Sequence, residues 1–205
     1  MQCRSVVVVG ASAGGVVALQ QIIEKLPGDL GAAVFVAVHF PKRGTSALPQ
    51  ILSRAGRLAA AHPTDGEPIV HGRIYVAPPG FHLLMNGGMV RLSRGPRVNG
   101  HRPAVDPMFR SAAVAFGSRV IGVVLSGSLD DGTSGLAAVK RRGGLALVQE
   151  PADAMFDSMP RSAIKHVPVD RVAPARELGK LIADCVADLV EGGTLPLAED
   201  ARAVE

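Results

Sequence analysis

The sequence contains no tryptophan and one tyrosine, and aromatic residues make up only 3% of it. Its core must be aliphatic, and few side chains are available to stack on exposed bases. Two cysteines, Cys3 and Cys185, are too few for a metal cluster, and a disulfide framework does not suit a chain of 205 residues. They read as incidental thiols. No run reaches the roughly 18 uninterrupted apolar residues that a membrane helix needs. The apolar start leads straight into a glycine turn and is too short for a signal-peptide core. The expectation is a cytoplasmic protein without membrane insertion.

Apolar residues make up 47% and charged residues 20%, a globular balance. With no repeat or low-complexity linker, one domain is expected over 1–193, followed by a small, acidic, flexible tail at 194–205. The net charge of +4 is spread out, its densest run being Lys140-Arg141-Arg142. Scattered cations without aromatics argue against nucleic acid and suit an acidic protein partner. Lys42, Arg97 and Arg102 are loop cations that could meet one, although solvated surface is the plainer reading.

Apolar runs alternate with helical patterns. Ser5–Val9 is a β-branched run without polar alternation, as in a strand buried on both faces. The turn Gly10–Gly15 follows. Val16, Leu19, Ile22, Ile23 and Leu26 then recur at helical spacing until Pro27-Gly28. Ala33–Val38 is a second buried strand, completing a βαβ unit. Arg73–Ala77 reads as a strand, and His82–Met85 and Met89–Leu92 flank Asn86-Gly87-Gly88, a hairpin signal. A helix over Met108–Phe116 precedes a second βαβ unit: Val120–Leu125, Thr133–Arg142 and Leu145–Gln149. Arg176–Glu191 is the clearest amphipathic helix, with Leu178, Leu181, Ile182, Cys185, Val186, Leu189 and Val190 on one face. The pattern predicts an α/β fold: a doubly wound, mostly parallel sheet flanked by helices, with an antiparallel β-hairpin insertion.

In such a sheet ligands sit at the carboxyl ends of the strands, and three of those ends are polar. The first, Gly10-Ala11-Ser12-Ala13-Gly14, fits G-x-S-x-G, a tight turn that presents a serine hydroxyl, with the Ala13 amide free to meet an oxyanion. A dinucleotide loop is the competing reading, but Ser12 stands where a second glycine is required, and strand two ends in His39 rather than an acid. No Lys-Ser/Thr pair follows, so it is not a phosphate loop. The second end, His39, would lie close to Ser12 as a base. His62, His71, His82, His101 and His166 fall on loops or strand edges without ligand spacing. At the third end, Asp130 or Asp131 could orient the histidine or simply cap the following helix. The order Ser…His…Asp differs from those of the α/β-hydrolases, subtilisin and chymotrypsin.

The chain resembles the catalytic domain of the chemotaxis protein-glutamate methylesterase family, CheB. The resemblance is carried by VVGASAGG (Val8–Gly15), AVHFP (Ala37–Pro41), IYVAPPGFHLLM (Ile74–Met85), HRPAVDPMFRSAA (His101–Ala113), LSGSLDDGTSGLAAVKRRGG (Leu125–Gly144) and ALVQEPADAMFDSMPRSAI (Ala146–Ile164). It implies hydrolysis of glutamyl methyl esters on chemoreceptors, and in many members deamidation of receptor glutamines. By position, Ser12 is implied as nucleophile, His39 as base and Asp131, not Asp130, as orienting acid. Backbone amides of Ala13 and Ser128 are implied as the oxyanion hole. Neither cofactor nor metal is expected.

Two departures stand out. The nucleophile strand begins at Ser5, so the expectation is a catalytic domain with no receiver domain ahead of it, any receiver being a separate protein. Ser128-Leu129 stand where the family has Met-Gly; leucine tolerates positive φ less well than glycine, so a reshaped oxyanion hole is expected. The same substitution is what supports the rival reading, a binding module of this fold without turnover.

Overall fold

The structure, a computed structural model, describes residues 5–39 and 46–191. The expectations for Cys3, Phe40-Pro41, Lys42 and the tail lie outside them. Strand β1 (Ser5–Ala11) is buried along its whole length. Its alternating side chains send Val6 and Val8 into one core and Val7 and Val9 into another, which is why the run lacks polar alternation. It extends two residues further than the sequence pattern suggests, taking in Gly10 and Ala11.

Helix α1 (Gly15–Lys25) leads to β2 (Ala32–Val38), which pairs parallel to β1. After α2 (Leu48–Ala55) come the short strand β3 (Ala59–Ala61) and β4 (Arg73–Val76). A hairpin of β5 (His82–Asn86) and β6 (Met89–Ser93) turns through Gly87 and Gly88, whose φ of 57° and 78° are the left-handed values that a two-residue hairpin turn requires. It forms a two-stranded sheet of its own. The chain continues through α3 (Val105–Phe116), β7 (Val120–Val124), α4 (Thr133–Arg141), β8 (Leu145–Gln149), α5 (Ser158–His166), β9 (Arg171–Ala173) and α6 (Ala175–Glu191).

The main sheet has seven strands in the order β3-β4-β2-β1-β7-β8-β9, and every pairing is parallel. Helices α1, α2 and α6 fill the core on one face. Helices α3, α4 and α5 and the hairpin fill the other. Strand order reverses between β1 and β7, the switch point where such sheets leave a crevice at their carboxyl ends.

Gly10, near the end of β1, lies against the first residue of α3. A methyl group there would run into both γ-carbons of Val105. Gly10→Ala is expected to lose about 1–3 kcal/mol by overpacking, lowering Tm by roughly 3–10 °C. Val105→Ala makes room for that methyl group, so the double variant should lose less than the sum of the singles. Thermal unfolding of the four proteins measures the coupling, and strictly additive losses would contradict the contact.

Candidate active site

The carboxyl ends of β1, β2 and β7 lie side by side at the switch point. Ser12 follows β1; its amide donates to the Ser126 carbonyl at 3.0 Å, and its own carbonyl accepts from the Gly15 amide at 3.0 Å. The turn into α1 passes through Gly14 at φ 74°, where a side chain would collide with Met155 Cβ and Ser126 Oγ. His39 follows β2, its amide donating to the Ala11 carbonyl at 3.3 Å. Two strand ends laid side by side thus bring His39 Nδ1 to 3.1 Å from Ser12 Oγ.

The other ring nitrogen, Nε2, lies 2.7 Å from Asp131 Oδ2, in the loop after β7. An ionised carboxylate only accepts, so Nε2–H is the donor and Nδ1 keeps a lone pair for the Ser12 hydroxyl. The side chains of His39 and Asp131 are 6% and 2% exposed, so water competes little for this bond.

Asp131 does not cap the helix that follows it. Its Oδ2 accepts from the Val105 amide at 2.7 Å, and its Oδ1 accepts from the Asp106 amide at 3.1 Å. These are the first two amides of α3. In exchange, Asp106 Oδ1 accepts from the Gly132 and Gly135 amides at the start of α4, at 3.1 and 2.7 Å. Each helix therefore satisfies the other's unpaired N-terminal amides. Asn99 Nδ2 donates to both carboxylates, at 2.9 Å to Asp131 Oδ1 and 3.2 Å to Asp106 Oδ2.

Burial opposes ionisation of Asp131, but the donors His39, Val105, Asp106 and Asn99 together hold its carboxyl below the usual range. Burial dominates at Asp106 and, with the Asp131 charge, pushes its carboxyl up despite the Gly135, Asn99 and Arg110 contacts. The His101 ring stacks on His39, with centroids 3.6 Å apart and planes within 2°. Burial holds His101 below the usual histidine range, and His39 adds to the effect.

Among the described residues, the Ala13 and Ser128 amides have no hydrogen-bond partner. Both residues are exposed beside Ser12 and its hydrogen-bond partner Ser126. Leu129 takes φ 65° and is 69% exposed, so leucine holds the left-handed bend at a backbone cost of roughly 1–2 kcal/mol. No group of three or more His, Cys, Asp or Glu among the described residues could hold a metal ion. No helix among them is long and apolar enough to cross a membrane.

The family model for CheB methylesterase matches residues 7–182. The chain belongs to the CheB methylesterase family. It is 39% identical over 177 residues to protein-glutamate methylesterase/protein-glutamine glutaminase 2 of Anaeromyxobacter dehalogenans, covering 86% of this chain and 52% of that protein. A Leptospira interrogans relative is 36% identical over 176 residues, covering 85% of this chain and 91% of the relative. The crystal structure of the Thermotoga maritima CheB methylesterase catalytic domain superposes with a TM-score of 0.84 at 33% identity, over 88% of this chain and 98% of that one. The chain thus spans about half the length of some relatives and nearly all of others.

The CheB fold brings together Ser12, His39 and Asp131 and leaves Asp130 exposed. Asn99, His101 and Asp106 carry roles that sequence reasoning missed. His101, a loop histidine without ligand spacing in the sequence, lies on the ring of His39. The available signal was Asn99-Gly100, a tight-turn dipeptide just ahead of the HRPAVD segment.

Asp106→Ala leaves two buried helix amides without an acceptor and is expected to lose about 2–4 kcal/mol, or roughly 5–15 °C in Tm; a loss below about 0.5 kcal/mol in thermal unfolding would contradict the exchange of caps. Asp131 carries a pH signature as well. Its folded carboxyl sits below the unfolded value, so its contribution is complete above about pH 4 and fades as pH falls through the depressed value. The stability deficit of Asp131→Asn should therefore shrink in acid. Denaturant midpoints at pH 7 and at about pH 3.5 test this, and a constant deficit would contradict it.

Proposed function

We propose that this chain hydrolyses glutamyl methyl esters on methyl-accepting chemotaxis receptors through Ser12, His39 and Asp131. The observation that carries the reading is the chain of contacts Ser12 Oγ, His39 Nδ1, His39 Nε2 and Asp131 Oδ2, at 3.1 and 2.7 Å, on the CheB fold. Ser12 Oγ attacks the ester carbonyl as its proton passes to His39 Nδ1, and Asp131 stabilises the imidazolium at Nε2. The amides of Ala13 and Ser128 donate to the developing oxyanion. The tetrahedral adduct collapses by breaking the bond to the methoxy oxygen, which leaves as methanol with the His39 proton. Water then enters by the same route, releasing glutamate and restoring the Ser12 hydroxyl.

Glutamine side chains fit the same acyl-enzyme route, with ammonia leaving in place of methanol, and the name of the Anaeromyxobacter relative supports that second activity. The domain is read as 1–193, working in the cytoplasm. Ser12→Ala is expected to lower methanol release from a methylated receptor fragment by roughly 10³-fold or more. A fluorophosphonate probe should label Ser12 in the native protein and nothing in the variant. Unchanged release in the variant would eliminate the Ser12 mechanism, and no labelling of the native protein would point instead to a binding module.

A further inference from the structure

We propose that His101 is a positioning residue for this reaction: its ring, face to face on His39, holds the base in line with Ser12 and Asp131 and must be uncharged for His39 to take up a proton. This rests on the esterase reading above. The two hydrogen bonds of His39, at Nδ1 and Nε2, fix both ends of the ring but leave it free to tilt about the line joining them. A parallel ring at 3.6 Å restrains that tilt.

The turn that carries His101 is built to hold it there. The Val98 amide donates to the His101 carbonyl and the His101 amide to the Val98 carbonyl, at 3.1 and 2.9 Å. Asn99 and Gly100 between them take φ of 51° and 78°, closing a two-residue turn. The Asn99 amide group is tied to Asp131 and Asp106. The stacking ring and the donor that anchors Asp131 therefore come from one four-residue turn, and they keep a fixed spacing across His39.

Charge adds a second effect. The charged and titratable groups facing His101 are His39, Asp131 and Arg97. Arg97 belongs to the same segment, with Nη1 donating to the Gly100 carbonyl at 3.3 Å, while Arg102 turns away to the carbonyls of Arg94 and Gly95. A neutral ring face attracts a cation lying on it, so uncharged His101 favours the imidazolium that His39 becomes as Ser12 attacks. Protonated, it sets a second cation against that imidazolium and opposes the step. Burial, with the His39 charge and Arg97, lowers the His101 pKa against the pull of the Asp131 carboxylate, which favours the uncharged ring.

The test is kcat and KM for methanol release from a methylated receptor fragment across about pH 4.5 to 8, for the native protein, His101→Ala and His101→Phe, with thermal unfolding as the folding control. His101→Ala should lose about tenfold or more in kcat with little change in KM, and His101→Phe, which keeps a stacking ring, should recover most of it. The acid limb of log kcat/KM should approach a slope of two in the native protein, where two imidazoles must be neutral, and stay at one in His101→Phe. An active native protein with a slope of one, or a folded His101→Ala within about twofold of native kcat, would overturn the role of His101 alone. A native protein that releases no methanol would overturn the esterase reading beneath it.

Discussion

Two helix N-termini meet at the switch point of the sheet, and each donates its unpaired amides to a carboxylate from the other's sequence neighbourhood. Asp131, just ahead of α4, takes the first amides of α3; Asp106, in the first turn of α3, takes those of α4. Buried carboxylates in a mainly aliphatic interior would be strongly disfavoured without such donors. With them, Asp131 is ionised and fixed, and the histidine tautomer follows from its position. The exchange of caps therefore joins the packing of the domain to the chemistry of its rim.

The remainder of the site is an outcome of strand pairing. β1 and β2 run in register to Ala11 and Val38, so the next residues, Ser12 and His39, emerge side by side. β7 pairs with β1 on the other side, and the Ser12 amide bonds to Ser126 in the loop beyond it. Three backbone segments thus set the spacing of hydroxyl, imidazole and carboxylate before any of those side chains interacts. Gly14 and the left-handed Leu129 occupy bends on either side of the exposed Ala13 and Ser128 amides. The Ser-Leu pair keeps the bend that glycine would make without strain, at the cost of backbone strain and an exposed leucine.

Much of this was legible in the sequence because the deciding forces are local. Unbroken β-branched runs mark strands buried on both faces, and Asn86-Gly87-Gly88 specifies a tight hairpin by φ alone. Ser12 and His39 could be placed because strand ends are readable from those runs, which left Asp130 and Asp131 open until the family resemblance chose Asp131. Helices α2 and α5 and the three-residue edge strands β3 and β9 were not, since elements this short carry too little periodicity and depend on the sheet they join. The partners of Asp131 were hidden for a different reason. Asp before Gly-Thr-Ser reads as a cap for the next helix, and only tertiary contact turns it toward α3, about 25 residues back in the chain. His101 looked like any loop histidine because ring stacking leaves no spacing signature.

The central claim is that Asp131 fixes His39 with its proton on Nε2, leaving Nδ1 to accept from Ser12. Nitrogen-15 NMR of the His39 ring near neutral pH measures this directly. The account predicts a protonated Nε2, its proton shifted far downfield by the Asp131 bond, and an unprotonated Nδ1, with the pattern lost in Asp131→Ala. A proton on Nδ1, or a ring signal unchanged by removal of the carboxylate, would contradict it.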